Sequence, residues 1–165
     1  MQKHLLYLAF GTNLGEKYKN IEDAYSETEK RIGKIISQSA FYITDPQGFE
    51  SNNEFVNTVC AVSTALSLHE VFVATQKIEK MLGRTHKSQQ KQYADRIIDV
   101  DILMYDDLIV KTAELTIPHD QLHKRFFVLM PFAEIAPQVI HPVFRKSILQ
   151  LAKEFEGSDN QSVVI

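Results

Sequence analysis

The stretch 96–105, Arg-Ile-Ile-Asp-Val-Asp-Ile-Leu-Met-Tyr, constrains this chain more than any other. Its short run of β-branched and apolar residues reads as a buried strand. Two carboxylates interrupt it, Asp99 and Asp101. Side chains alternate along a strand, so residues two apart share a face. Asp99 and Asp101 therefore point the same way in an apolar setting, where like charges repel and burial makes each costlier. Two arrangements relieve that cost. Either the strand is a sheet edge with a wet polar face, or a hard divalent cation compensates both carboxylates.

The length of 165 residues fits one domain, residues 1–165, and is enough to bury a core. A hydrophobic content of 44% with 24% charged residues is that of a soluble globular protein. The net charge of -3 offers no global attraction to nucleic acid or an anionic membrane, so neither is expected as a partner. The single cysteine, Cys60, excludes an internal disulfide and a cysteine-based zinc site, and its apolar neighbours suit a small core residue. The apolar part of the amino terminus is too short for a signal peptide or a membrane span, and a cytoplasmic location is expected.

Residues 5–10 read as a first strand, broken by the turn residues Gly11 to Gly15. That turn lacks the glycine patterns of a phosphate loop. A helix follows over 16–32, with Ile21, Ala24, Tyr25, Thr28 and Ile32 at helical spacing and Gly33 as its stop. Residues 35–44 read as a second strand, 45–53 as a turn and loop, and 55–64 as a third strand. In the third, Phe55 and Asn57 share a face: a ring that can stack on a flat heterocycle beside an amide that can hydrogen-bond it. An ordinary strand opening would look the same.

Ser67 and Glu70 have the spacing of a capping box and open a helix over 67–82. Its stripe is Leu68, Val71, Phe72, Thr75, Ile78 and Leu82. Glu79 falls within the same arc and Gln76 at its edge. An acid on the inward face near a helix carboxy terminus needs a partner or a ligand. Residues 84–95 form a long polar loop that carries Arg84, His86, Lys87 and Lys91, with Arg96 following. Cations converging on two aspartates suit a polyphosphate, where a metal bridges oxygens and Arg and Lys take the remaining charge. A solvated basic loop is the alternative.

After a turn at Asp106–Asp107, residues 108–110 read as a short returning strand. Thr116, His119, His123, Lys124 and Arg125 are further phosphate-compatible side chains. His119 and His123, four apart, could share a helix face, without the acid a His-Glu-x-x-His zinc site requires. Helices are expected over 127–136 and 147–155, and the tail at 158–165 is expected to fray. The order β-α-β-β-α-β, with an extra hairpin strand and C-terminal helices, is an α+β ferredoxin-like sandwich with its helices on one face of the sheet.

Taken together, these segments resemble the 6-hydroxymethyl-7,8-dihydropterin pyrophosphokinase family over about residues 5–155. The resemblance rests on Phe-Gly-Thr-Asn-Leu at 10–14, Tyr-Ile-Thr-Asp-Pro at 42–46, Phe-Val-Asn at 55–57 and Gln-Lys-Ile-Glu-Lys-Met-Leu-Gly-Arg at 76–84. It continues in the strand at 96–103, Leu-Thr-Ile-Pro-His at 115–119, Arg-Phe-Phe at 125–127 and Pro-Phe-Ala-Glu-Ile-Ala-Pro at 131–137.

The resemblance implies transfer of pyrophosphate from ATP to the hydroxymethyl group of a reduced pterin, with release of AMP. It implies two Mg2+ ions held by Asp99 and Asp101, and phosphates gripped by Arg84 and Arg96. Gln76, Glu79, His119 and Arg125 would face the nucleotide, in a site completed by His86, Lys87, Ile102 and Thr116. Thr44, Phe55, Asn57 and Phe127 would frame the pterin, with groups near Asp45 and Gln47 reading its edge. A monomer is expected. Departures from the family pattern are Ala94-Asp95 in place of Gly-Pro, Tyr93 where Trp is usual, and Asp45 in place of a proline. A non-catalytic ferredoxin-like domain that binds a small molecule for regulation is the alternative, and it would not need the two aspartates and the basic loop together.

Overall fold

In chain order the elements are β1 (His4–Thr12), α1 (Lys17–Arg31), β2 (Gly33–Gln38), β3 (Tyr42–Thr44), β4 (Phe55–Thr64), α2 (Leu68–Gly83) and β5 (Asp99–Tyr105). There follow β6 (Val110–Lys111), β7 (Thr116–Ile117), a 3-10 turn at Leu122–Lys124, α3 (Phe126–Ile135), α4 (Ile148–Glu156) and β8 (Ser162–Val164). The structure, a computed structural model, describes residues 2–44, 54–83, 97–156 and 162–164.

One antiparallel sheet organises the chain, in the order β5-β1-β4-β3-β8, with β2 also on β4. Long strands of β-branched and aromatic residues lie at its centre, where both faces are buried. On one face Leu6, Leu8, Phe10, Val56, Cys60, Val62, Val100 and Ile102 pack against the stripes of α1 and α2, including Ile21, Ala24, Val71 and Ile78. On the other, Tyr7, Ala9, Val59, Ala61, Leu103 and Met104 meet Leu129 and Phe132 of α3 and Ile148 and Leu151 of α4. The α+β class and the two sheet-facing helices are as expected. The C-terminal helices cover the second face, so the sheet is not left with helices on one side only.

The capping box forms: the Glu70 N–H donates to the Ser67 Oγ at 3.2 Å, and the Ser67 N–H to the Glu70 carboxylate at 2.9 Å. Gly33 does more than stop α1, because a Cβ there would fall on the Ser63 carbonyl of the paired strand. Among the described residues no helix is long and apolar enough to cross a membrane.

Four further expectations need correction. The strand expected over 35–44 is two strands. The Ser39 Oγ takes the Val59 N–H at 3.0 Å, and the register slips by one residue between Gln38↔Cys60 and Tyr42↔Asn57, as at a β-bulge. The first strand continues through Gly11 to Thr12, because Gly11 pairs with Asn57 on one side and Asp99 on the other. Residues 110–111 pair with 116–117 in a separate hairpin and do not return along β5. The left-handed turn at Asp106 (φ 51) is tied by its carboxylate to the His4 ring and the Leu5 N–H, and this directs the chain away. Finally, the tail is not wholly frayed: Ser162–Val164 pairs with β3 in the register Thr44↔Ser162, covering an otherwise open edge.

Candidate active site

Strand pairing lays a row of residues across one end of the sheet. Asp99 of β5 lies opposite Gly11 of β1, Gly11 opposite Asn57 of β4, and Asn57 opposite Tyr42 of β3. One step to one side of this row Asp101 lies opposite Ala9, and one step to the other side Phe55 lies opposite Thr44. Partners in register share a face. Ala9 belongs to the α3–α4 core, so Asp99, Asp101, Asn57, Phe55, Tyr42 and Thr44 all project to that side. The two carboxylates are half-buried, and Val100 and Ile102 between and beside them hold the strand from the opposite face.

This end of the sheet face is polar and ordered. The Asn57 amide donates to the Tyr42 carbonyl at 3.2 Å and to the Thr44 Oγ1 at 3.1 Å. Both donors of that buried amide are engaged, so its carbonyl oxygen is held toward Gly11. A Cβ at Gly11 would stand 3.2 Å from that oxygen and 4.0 Å from the Phe55 ring. Gly11 therefore keeps the floor open between the carboxylates and the amide. Phe127 opens α3 above the same face, half-buried, with the Arg125 guanidinium 5.9 Å from its ring centroid.

A separate cleft of about 380 Å³ runs along the free edge of β5. Gln76 and Glu79 of α2, Val100, Asp101 and Ile102 of β5, Thr116 of the β6–β7 hairpin, and His119 all line it. The Glu79 carboxylate accepts the Val100 N–H at 2.7 Å, and the Leu103 carbonyl accepts the His119 N–H at 2.9 Å. Since the Val100 N–H faces outward, the strand period turns the Ile102 backbone N–H and carbonyl outward too. The edge that remains between those two caps is thus a ready donor–acceptor pair for a planar heterocycle. The His119 Nδ1 accepts the Gln121 N–H at 3.1 Å, which places the ring proton on Nε2 and leaves it a donor. His119 and His123 do not share a helix face: His119 precedes the 3-10 turn that contains His123.

Asp101 belongs to both places, lining the cleft and sharing the sheet face with Asp99. Among the described residues, the cleft's charged lining comprises Glu79, Asp101, Glu114 and Asp120, without Lys or Arg. A polyphosphate there requires cations from elsewhere. Among the described residues no group of three His, Cys, Asp or Glu could hold a metal unaided. An all-oxygen pair of carboxylates instead fits Mg2+, which keeps water and takes phosphate oxygens to complete its octahedron. The donor chemistry fits the group.

Of the residues expected at the site, Gln76, Glu79, Ile102, Thr116, His119 and Asp101 are brought together in the cleft. Thr44, Phe55, Asn57 and Asp99 are brought together on the sheet face. Arg125 is not in the cleft lining; it sits over Phe127. Asp45, Gln47, Arg84, His86, Lys87 and Arg96 lie outside the described residues. Sequence reasoning missed Gly11, Phe72, Thr75 and the hairpin residues Thr112 and Glu114. The spacing of Phe72, Thr75, Gln76 and Glu79, one helical face, could have revealed two of them.

The family model described as 7,8-dihydro-6-hydroxymethylpterin-pyrophosphokinase (HPPK) matches residues 7–137. A 2-amino-4-hydroxy-6-hydroxymethyldihydropteridine pyrophosphokinase of Porphyromonas gingivalis is 40% identical over 139 residues, covering 84% of this chain and 94% of that protein. One of the same name from Aquifex aeolicus is 35% identical over 149 residues, covering 90% and 91%. The crystal structure of Plasmodium falciparum HPPK-DHPS wild type with pterin and p-hydroxybenzoate superposes with a TM-score of 0.77 at 18% identity. It covers 99% of this chain, which spans only 47% of that longer one. The matched span contains both carboxylates, the amide floor and the cleft, and the chain belongs to the 7,8-dihydro-6-hydroxymethylpterin-pyrophosphokinase (HPPK) family.

Proposed function

We infer that the chain transfers a pyrophosphoryl group from ATP to 6-hydroxymethyl-7,8-dihydropterin, a step of folate biosynthesis. The observation that carries this reading is the position of Asp101, where the β5-edge cleft meets the face bearing Asp99, Gly11 and Asn57. A nucleotide in the cleft would bring its phosphates to that junction, and a pterin on the sheet face would bring its hydroxymethyl group to the same point.

In the reaction, the hydroxymethyl oxygen bonds to the β-phosphorus, the bond from that phosphorus to the α-phosphate bridging oxygen breaks, AMP leaves and the hydroxyl proton passes to solvent. Asp99 and Asp101 would hold Mg2+, which when bound neutralises phosphate charge and lowers the pKa of the attacking hydroxyl. The residues do the rest by placement. The Ile102 backbone and the Glu79-capped edge orient the adenine, and the His119 Nε2–H and Thr116 reach the sugar and phosphates. Asn57, Thr44, Asp45 and Gln47 read the polar edge of the pterin, while Phe55 and Phe127 stack on its faces. Arg84, His86, Lys87 and Arg96 supply the positive charge that the cleft lacks, and Arg125 adds charge near Phe127. The site lies within one chain, which suits a monomer acting in the cytoplasm.

The test is a coupled assay for AMP with ATP, Mg2+ and hydroxymethyldihydropterin. AMP released only when the pterin is present supports the reading. Pterin-independent release, or none, defeats it and favours a binding domain without catalysis.

A further inference from the structure

The two walls of the pterin face belong to different layers. Thr44 stands on β3, a strand of only three residues, and Phe127 stands on α3. One side chain spans them. The Glu134 carboxylate accepts the Ala40 N–H with both oxygens, at 3.1 and 3.2 Å, and the Tyr42 hydroxyl with one of them at 2.8 Å. Glu134 follows Phe127 by seven residues, so two helical turns put both on one stripe of α3. Tyr42 is buried, and its carbonyl is one of the two acceptors that hold the Asn57 amide. The other is Thr44. A continuous chain of contacts therefore runs from α3 through Glu134 and Tyr42 to Asn57 and Thr44.

Ala40 lies within the bulge that divides β2 from β3. There the ordinary ladder is interrupted, and Glu134 supplies the acceptor that the Ala40 N–H would otherwise take from a neighbouring strand. Glu134 lines no part of the nucleotide cleft.

We propose that Glu134 is a positioning residue for the pterin: by gripping Ala40 and Tyr42 it sets the spacing between the α3 wall, with Phe127, and the β3 wall, with Thr44. This rests on the assignment of the pterin to that face. The carboxylate is solvent-exposed, so water offers its partners a substitute when it is removed. The effect is one of geometry and falls on one substrate.

The test compares full-length wild type with Glu134→Ala, Glu134→Gln, Tyr42→Phe and the double variant Glu134→Ala/Tyr42→Phe. Affinities for hydroxymethyldihydropterin and for ATP are measured separately by calorimetry, along with kcat and the melting temperature. Glu134→Ala is expected to weaken pterin binding about three- to tenfold, with ATP affinity within about twofold of wild type. Glu134→Gln, whose amide oxygen still accepts from Tyr42, recovers part of the loss. Tyr42→Phe keeps the packed ring and shows a smaller loss in the same direction. The double variant is no worse than Glu134→Ala by more than a small margin, because the two groups act as one contact. Unchanged pterin affinity in Glu134→Ala and Tyr42→Phe overturns the proposal. So does a parallel fall in pterin and ATP affinity with a lowered melting temperature, which marks a merely structural role. A wild type that binds ATP but no pterin overturns the proposed function itself, and this inference with it.

Discussion

The Glu79 carboxylate accepts the backbone N–H of Val100 at 2.7 Å. This contact gives a purpose to an acid on the inward arc of α2. Strand β5 is the edge of the sheet, and an edge strand presents unpaired donors. Glu79 satisfies one of them and so ties α2 to the strand that carries both aspartates. Replacing Glu79 with Ala should lower stability by about 1–2 kcal/mol, the usual cost of orphaning a half-buried backbone donor. It should also weaken ATP binding, since the same residue lines the cleft. Glu79→Gln keeps an acceptor oxygen and should restore most of the stability. Urea unfolding and nucleotide titration measure the two effects. A stability loss in Gln as large as in Ala would contradict the acceptor role.

Asp99 and Asp101 stand on one face roughly 7 Å apart along the strand. Carboxylates so placed gain nothing from each other, and in the proposed function they would hold a cation. Asp99→Ala and Asp101→Ala should each reduce kcat by about 100-fold or more, the scale of losing a group that stabilises developing charge. Circular dichroism should show an intact fold, and chelation of Mg2+ should abolish turnover in wild type. Turnover by either variant within tenfold of wild type at saturating Mg2+ would defeat the assignment.

Gly11 is the least conspicuous part of the site. A methyl group there would meet the Asn57 Oδ1 at 3.2 Å, and that oxygen has little freedom because both amide hydrogens are engaged. Gly11→Ala should therefore raise the KM for the pterin by about tenfold, through a crowded floor, while the KM for ATP stays near wild type. Steady-state kinetics with each substrate varied in turn makes the comparison. Equal shifts in both constants would show a disturbed sheet instead.

Local periodicity carried the parts of this molecule that depend on neighbours in sequence. The shared face of Asp99 and Asp101, the shared face of Phe55 and Asn57, the stripes of α1 and α2 and the Ser67–Glu70 cap all follow from spacing, and all are present. What depended on register between distant strands was not legible. Gly11 has no side chain to form a pattern, and its role appears only when Asp99 and Asn57 are set beside it. The run 35–44, Ile-Ile-Ser-Gln-Ser-Ala-Phe-Tyr-Ile-Thr, gave no sign that Ser39 would take a hydrogen bond from Val59 and split the strand. Three residues at 162–164 are too few for any period, and their order comes from the free edge of β3. The hairpin wall of the cleft is likewise a product of pairing between 110–111 and 116–117.

His141 is expected to make the fold sensitive to acid. It is 3% exposed, and its Nδ1 accepts the N–H groups of Val143 and Phe144, each at 3.2 Å, while its ring stacks on Phe144. Burial, with some repulsion from His123, pushes its pKa down to about 4 from an ordinary 6.5. His123, also lowered by burial and by Lys124, packs edge-on against the same Phe144 ring. Above pH 6.5 His141 is neutral in both folded and unfolded chains, and its contribution to stability is fully present. As the pH falls from 6.5 toward 4 the unfolded chain takes up a proton that the folded chain refuses, and stability declines. The loss should be on the order of 3 kcal/mol across that window. His141→Asn offers an oxygen to the same two backbone donors without a titrating ring. Urea midpoints at pH 7.5, 5.5 and 4.5 should fall less steeply in this variant than in wild type. Parallel pH profiles would mean that other groups govern acid unfolding.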